Sequence, residues 1–113
     1  MSIQSLQNNI SRIDKDIAGL EKQLADEEKK ELENTKQYNR VERSINKNTR
    51  LNTLKSKQNQ LIRIQDEIKK IKKKKADISS KIANKKSQKT RYQQQLDREI
   101  KADQRRKDMA DRR

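Results

Sequence analysis

Lys69-Lys70-Ile71-Lys72-Lys73-Lys74-Lys75 sets six ammonium groups within seven residues, and Arg105-Arg106 and Arg112-Arg113 add paired guanidinium groups further on. The chemistry open to such groups is attraction of polyanions, with release of the counterions condensed on phosphates. Lys69, Lys70, Lys72, Lys73, Lys74 and Lys75 are therefore the candidate anion-binding residues, for nucleic acid or another anionic surface. A solvated helix face is the plainer use of a lysine run, and only Tyr38 and Tyr92 are present to stack on bases. Neither Cys nor His occurs, which removes thiol nucleophiles, disulfides, imidazole acid–base pairs and zinc sites. That leaves carboxylates to do any chemistry, on helix faces that offer no pocket. The expectation is a protein that is not an enzyme, with no catalytic residue, metal, cofactor or small-molecule substrate.

The elements carrying these residues follow from composition. With 113 residues, 42% charged, 27% hydrophobic and 2% aromatic, the chain lacks the apolar material for a compact core. An elongated or a disordered chain remains. The absence of Pro, the single Gly and the regular spacing of Leu and Ile favour long helices. No stretch approaches the ~18 apolar residues of a membrane span, and the N-terminus has neither a basic flank nor an apolar run, so a cytoplasmic location is expected. Residues 1–45 hold eight Lys and Arg against nine Asp and Glu, whereas residues 46–113 hold 23 against eight. The two arms thus differ in sign, as expected if one partly neutralises the other.

In the first arm, Ile3, Leu6, Ile10, Ile13, Ile17, Leu20 and Leu24 are spaced alternately by three and four, the a and d repeat of a left-handed coiled coil. The next a and d places fall on Glu27, Glu31 and Asn34, with Leu32 one residue out, which reads as a local stutter. Tyr38, Val41 and Ile45 resume the spacing. Gly19 costs the helix ~1 kcal/mol relative to Ala and reads as a tolerated surface residue.

Five Asn and Thr residues then crowd Ser44 to Leu54. Their side chains compete with a continuing helix, and Asn tolerates the left-handed conformation common at helix ends. The reading is an all-α, antiparallel coiled-coil hairpin: helix over 1–45, a turn at 46–49, a basic second helix over 50–96 and a charged helical extension over 97–113. Leu61, Ile64, Ile68, Ile71, Lys75, Ile78, Ile82, Lys85, Lys89, Tyr92 and Leu96 carry the second seam.

Folding at the turn makes residues whose numbers add to 95 face one another: Ile3 with Tyr92, Ile13 with Ile82, Ile17 with Ile78, Leu24 with Ile71 and Val41 with Leu54. Lys75, Lys85 and Lys89 would then face Leu20, Ile10 and Leu6, and Glu21 to Glu28 would lie near the lysine run. Straight helices paired antiparallel between two molecules satisfy the same arithmetic. Ala18, Ala25, Ala76 and Ala83 recur beside the seam and Ile62 lies off it, so the apolar face is wider than one seam needs. They serve either as helix-favouring filler or as a second contact that pairs hairpins. The extension, with Asp97–Lys101, Asp103–Lys107 and Asp108–Arg112 at i,i+4, ends without a capping signal, so a longer protein with its activity downstream is expected.

Ser-Ile-Asn-Lys-Asn-Thr at the turn, Thr53-Leu54-Lys55-Ser56-Lys57-Gln58 after it, Lys75-Ala76-Asp77-Ile78 and Tyr92-Gln93-Gln94-Gln95-Leu96 lie along this layout. Over nearly its whole length the chain resembles the N-terminal coiled-coil region of bacterial signalling or defence proteins that carry a Toll/interleukin-1-receptor-like or similar effector domain. The resemblance implies a self-association or sensing module and carries over no catalytic residue. The expected function is a non-enzymatic interaction module, scaffold or spacer, whose partner is a second copy or another coiled-coil protein; the alternative is a basic coiled coil that binds nucleic acid or another anionic surface.

Overall fold

The structure, a computed structural model, describes residues 1–112; Arg113, the second member of the last arginine pair, lies outside the described residues. It is all-α, with two helices, α1 (Ile3–Arg43) and α2 (Leu51–Asp111), running antiparallel as a hairpin within one chain. Ser2 starts α1: its Oγ accepts the Ser5 N–H at 3.1 Å, satisfying a donor that the first helical turn leaves free.

The chain leaves helix at Ser44, where the side-chain hydroxyl donates to the Val41 carbonyl at 2.6 Å and Lys57 Nζ donates to the Ser44 carbonyl at 3.0 Å. A cation there complements the negative end of α1. Asn46 and Thr49 then close a small ring. The Asn46 N–H donates to Thr49 Oγ1 at 2.9 Å, while Asn46 Oδ1 accepts the Asn48 N–H at 2.9 Å. Short polar side chains thus take backbone bonds that a continuing helix would have used. No described residue has a positive φ, so the left-handed conformation expected of Asn is not used. α1 ends two residues before the expected Ile45, and α2 continues through Leu96 and Asp97 without interruption to Asp111.

The least exposed residues of each helix recur every three and four positions. Leu6, Ile13 and Ile17 of α1 and Ile71, Ile78 and Ile82 of α2 are buried. Ile3, Ile10, Leu20, Leu24, Val41, Leu54, Ile68 and Tyr92 are half-buried on the same repeat. The expected stutter is absent, because Glu27 is 6% exposed, Glu31 and Asn34 are half-buried, and Leu32 is 55% exposed. The heptad runs straight through the polar stretch, since lysines of α2 meet its carboxylates. Gly19 is exposed, with nothing within 4 Å of where a Cβ would stand.

The chain packs as two compact units, Met1–Glu21 with Ser80–Arg113, and Lys22–Ser79. In the first, Asp14 pairs with Lys89 at 2.6 Å and Asp16 with Lys85 at 3.2 Å, residue numbers adding to 103 and 101. In the second, Glu27 with Lys74 and Ser44 with Lys57 add to 101, Tyr38 with Gln65 to 103, and Glu31 with Lys75 to 106. Each unit therefore has a register near 102, which corrects the 95 read from spacing. The difference is one heptad, which keeps every a position facing a d position and exchanges only the partners. Apolar spacing does not distinguish the two registers. Charge does: Lys75, Lys85 and Lys89 meet Glu31, Asp16 and Asp14 instead of Leu20, Ile10 and Leu6.

Cysteines placed at Leu20 and Ile82, whose numbers add to 102, should form an intramolecular disulfide readily in dilute solution. Cysteines at Ile13 and Ile82 should not, because one heptad displaces them by ~10 Å along the axis, beyond disulfide reach. Efficient closure of the second pair, read by gel mobility and mass spectrometry, would contradict the register.

Candidate interaction surface

The lysine run divides into two groups with different surroundings. Lys74 and Lys75 turn toward α1: Lys74 Nζ lies 3.5 Å from the buried Glu27 carboxylate, and Lys75 Nζ donates to Glu31 Oε2 at 2.8 Å. Lys30 adds a second cation 3.4 Å from Glu27. Seven-residue spacing puts Glu27 and Lys75 on the seams of their helices, so this charged group interrupts the apolar seam of the Lys22–Ser79 unit. Lys69, Lys70, Lys72 and Lys73 are exposed. Lys70 pairs only with Glu67 of its own helix, at 3.6 Å, and the other three make no ion pair among the described residues. Of the six expected anion-binding residues, Lys74 and Lys75 thus pair with carboxylates of α1 and the other four have no ion-pair partner there among the described residues.

The Lys75 hydrogen bond holds the Glu31 carboxyl below the ordinary carboxylate range, against a smaller opposing effect of desolvation. The same bond raises Lys75 above the usual ammonium range, again opposed by desolvation. Glu27 and Glu31 are the residues that sequence reasoning missed. Their a and d spacing was the signal, and carboxylates there make sense only once the lysines opposite them are known.

The remaining surface offers little for chemistry. A shallow notch in the first unit is lined by Met1, Leu6, Tyr92, Gln95, Arg98 and Glu99, and one in the second by Lys36, Asn39, Arg40 and Arg43. Among the described residues no group of three or more acidic residues could hold a metal ion, and no helix is long and apolar enough to cross a membrane. Exposed apolar side chains are the more informative feature: Leu32, Leu51 and Ile62 are each more than half exposed in the second unit, as are Met1 and Met109 in the first.

No protein-family model, no curated protein and no solved structure matches the chain. The surface must therefore be interpreted from its own chemistry.

The Glu31–Lys75 pair should give hairpin stability a plateau with two limbs. Glu31's contribution is complete above the unfolded carboxylate's titration and is lost as pH falls through its lowered folded value. Lys75's contribution is complete below the unfolded ammonium's titration and is lost as pH rises through its raised folded value. Thermal unfolding followed by circular dichroism across pH should show Glu31→Gln lowering the plateau and flattening both limbs. An unchanged pH profile would contradict the assignment.

Proposed function

We propose that the chain is a non-enzymatic coiled-coil interaction module that acts through assembly, setting the spacing or oligomeric state of a domain attached to it. The observation that supports this reading is the balance of its apolar surface. Only six apolar side chains are buried along two helices of 41 and 61 residues, while Leu32, Leu51 and Ile62 remain exposed. A hairpin with so small a core is marginally stable alone, and association stabilises it by mass action. Raising the local concentration of an attached effector is how a module without chemistry of its own switches one on. The resemblance to coiled-coil regions of bacterial signalling and defence proteins agrees with this use.

A second reading is favoured by one observation, the exposure of Lys69, Lys70, Lys72 and Lys73 without partners on α1. Such a patch suits the phosphates of nucleic acid, with steep log-linear salt dependence and little base preference.

Light scattering and thermal unfolding of the whole chain against concentration separate the two. The assembly reading expects a mass and an unfolding midpoint that both rise with concentration, and a midpoint lowered by Ile17→Lys or Ile78→Lys. A fully helical monomer whose midpoint is independent of concentration would overturn it.

A further inference from the structure

In the Lys22–Ser79 unit, every apolar side chain that leaves the seam lies on one broad face. Taking Ile3 in α1 and Leu54 in α2 as a, Ala25, Leu32, Ile62 and Ala76 fall at b and Leu51 at e, and none falls at c, f or g. In an antiparallel pair, the e and b positions of both helices flank the same side of the seam, and the g and c positions flank the other. Side-chain bonds mark the two sides: Gln65, at e, bonds Tyr38 across the first, and Lys74, at g, meets Glu27 across the second. Leu32 and Ile62 are both 55% exposed on the first side and Leu51 is 65% exposed there. The Met1–Glu21 with Ser80–Arg113 unit, taken alone, has Ala18 and Ala83 at b and Ile100 at e, but it also carries Met1 at f and Ala102 and Met109 at g, so the one-sided pattern belongs to the Lys22–Ser79 unit.

Charge is sorted across this face as well. α1 contributes Glu28 and Glu42 and no cation; α2 contributes Lys55, Lys69 and Lys72 and no anion, all exposed. A surface acidic along one edge, basic along the other and apolar between is complementary to itself after rotation by a half turn. The rotation must run parallel to the helices, which sets α1 of each copy over α2 of the other. The perpendicular alternative would place acidic edge on acidic edge.

We propose that a second copy of this chain docks on the face carrying Ala25, Leu32, Ile62 and Ala76, with each α1 antiparallel over the α2 of the other copy. This names the partner and surface of the assembly reading above and rests on it. A half turn about the helix direction preserves height along the hairpin, so the register within the chain also sets the register between copies. Ala25 meets Ala76 of the second copy, where small side chains allow close approach, and Glu28 meets Lys72. Leu32 and Ile62 leave water. The opposite broad face of this unit, with Asp26, Glu33, Arg63 and Lys70, has no apolar residue and stays solvated.

Sedimentation equilibrium of the whole chain tests the proposal. Leu32→Lys and Ile62→Lys should each raise the dimer dissociation constant at least about tenfold, as expected for losing burial of one large aliphatic side chain. Both sites are exposed within the chain, so helicity by circular dichroism should be retained. Glu33→Lys, on the opposite face, should leave the constant unchanged. Glu28→Lys should weaken association, and Lys72→Glu in the same chain should restore it. Association undiminished in Leu32→Lys and Ile62→Lys would overturn the proposed face while leaving assembly intact. A wild-type chain that stays monomeric would overturn both. A monomer that instead binds duplex nucleic acid at low salt through Lys69 and Lys72 would reassign the face to phosphate and overturn the dimer.

Discussion

Glu27 and Glu31 on α1 and Lys75 on α2 place charge where a coiled coil otherwise places Leu and Ile, Lys74 meets Glu27 from the flanking g position, and the register of the Lys22–Ser79 unit depends on their meeting. A carboxylate withdrawn from water and left unpaired is costly, whereas an aliphatic pair displaced by a heptad simply finds another aliphatic partner. The apolar seam therefore supplies affinity between the helices but tolerates sliding, and the charged group removes that freedom. Asp14 with Lys89 and Asp16 with Lys85 have the same role in the other unit, at more exposed positions.

This division of labour explains what could be read from the sequence. The period of Ile and Leu identifies two helices and the seam of each, because periodicity is a property of each helix separately. Their antiparallel sense comes from the turn and from the opposite charge of the two arms. The crowding of Asn and Thr locates the turn, because those side chains act on neighbouring backbone; Asn46 and Thr49 bond within three residues of themselves. Register is a property of both helices at once. A heptad repeat is unchanged by a shift of seven, so Ile13 facing Ile82 looks as good as Leu20 facing Ile82 until charges are counted across the seam. Treating Glu27 and Glu31 as a lapse in the repeat, with Leu32 as the residue out of place, hid the evidence that decides between them.

The lysines divide along the same line. Lys74 and Lys75 serve the fold, and Lys69 and Lys72 lie on the broad face beside Ile62 and Ala76. In the Lys22–Ser79 unit, pairing Lys74 and Lys75 with the acids of α1 leaves an outer surface whose off-seam apolar residues are confined to one side. The assembly proposed above would use that asymmetry, with one face for a second copy and the others for water.

The distance between spin labels at Asp26→Cys and Ser56→Cys, both exposed, tests most directly whether the charged group sets the register. We expect one narrow distribution for the native sequence. Lys74→Glu with Lys75→Glu should broaden it toward distances shorter by up to ~10 Å, the axial displacement of one heptad. Adding Glu27→Lys with Glu31→Lys should return the native distribution. A folded one-sided variant with the native distribution unchanged would contradict the account.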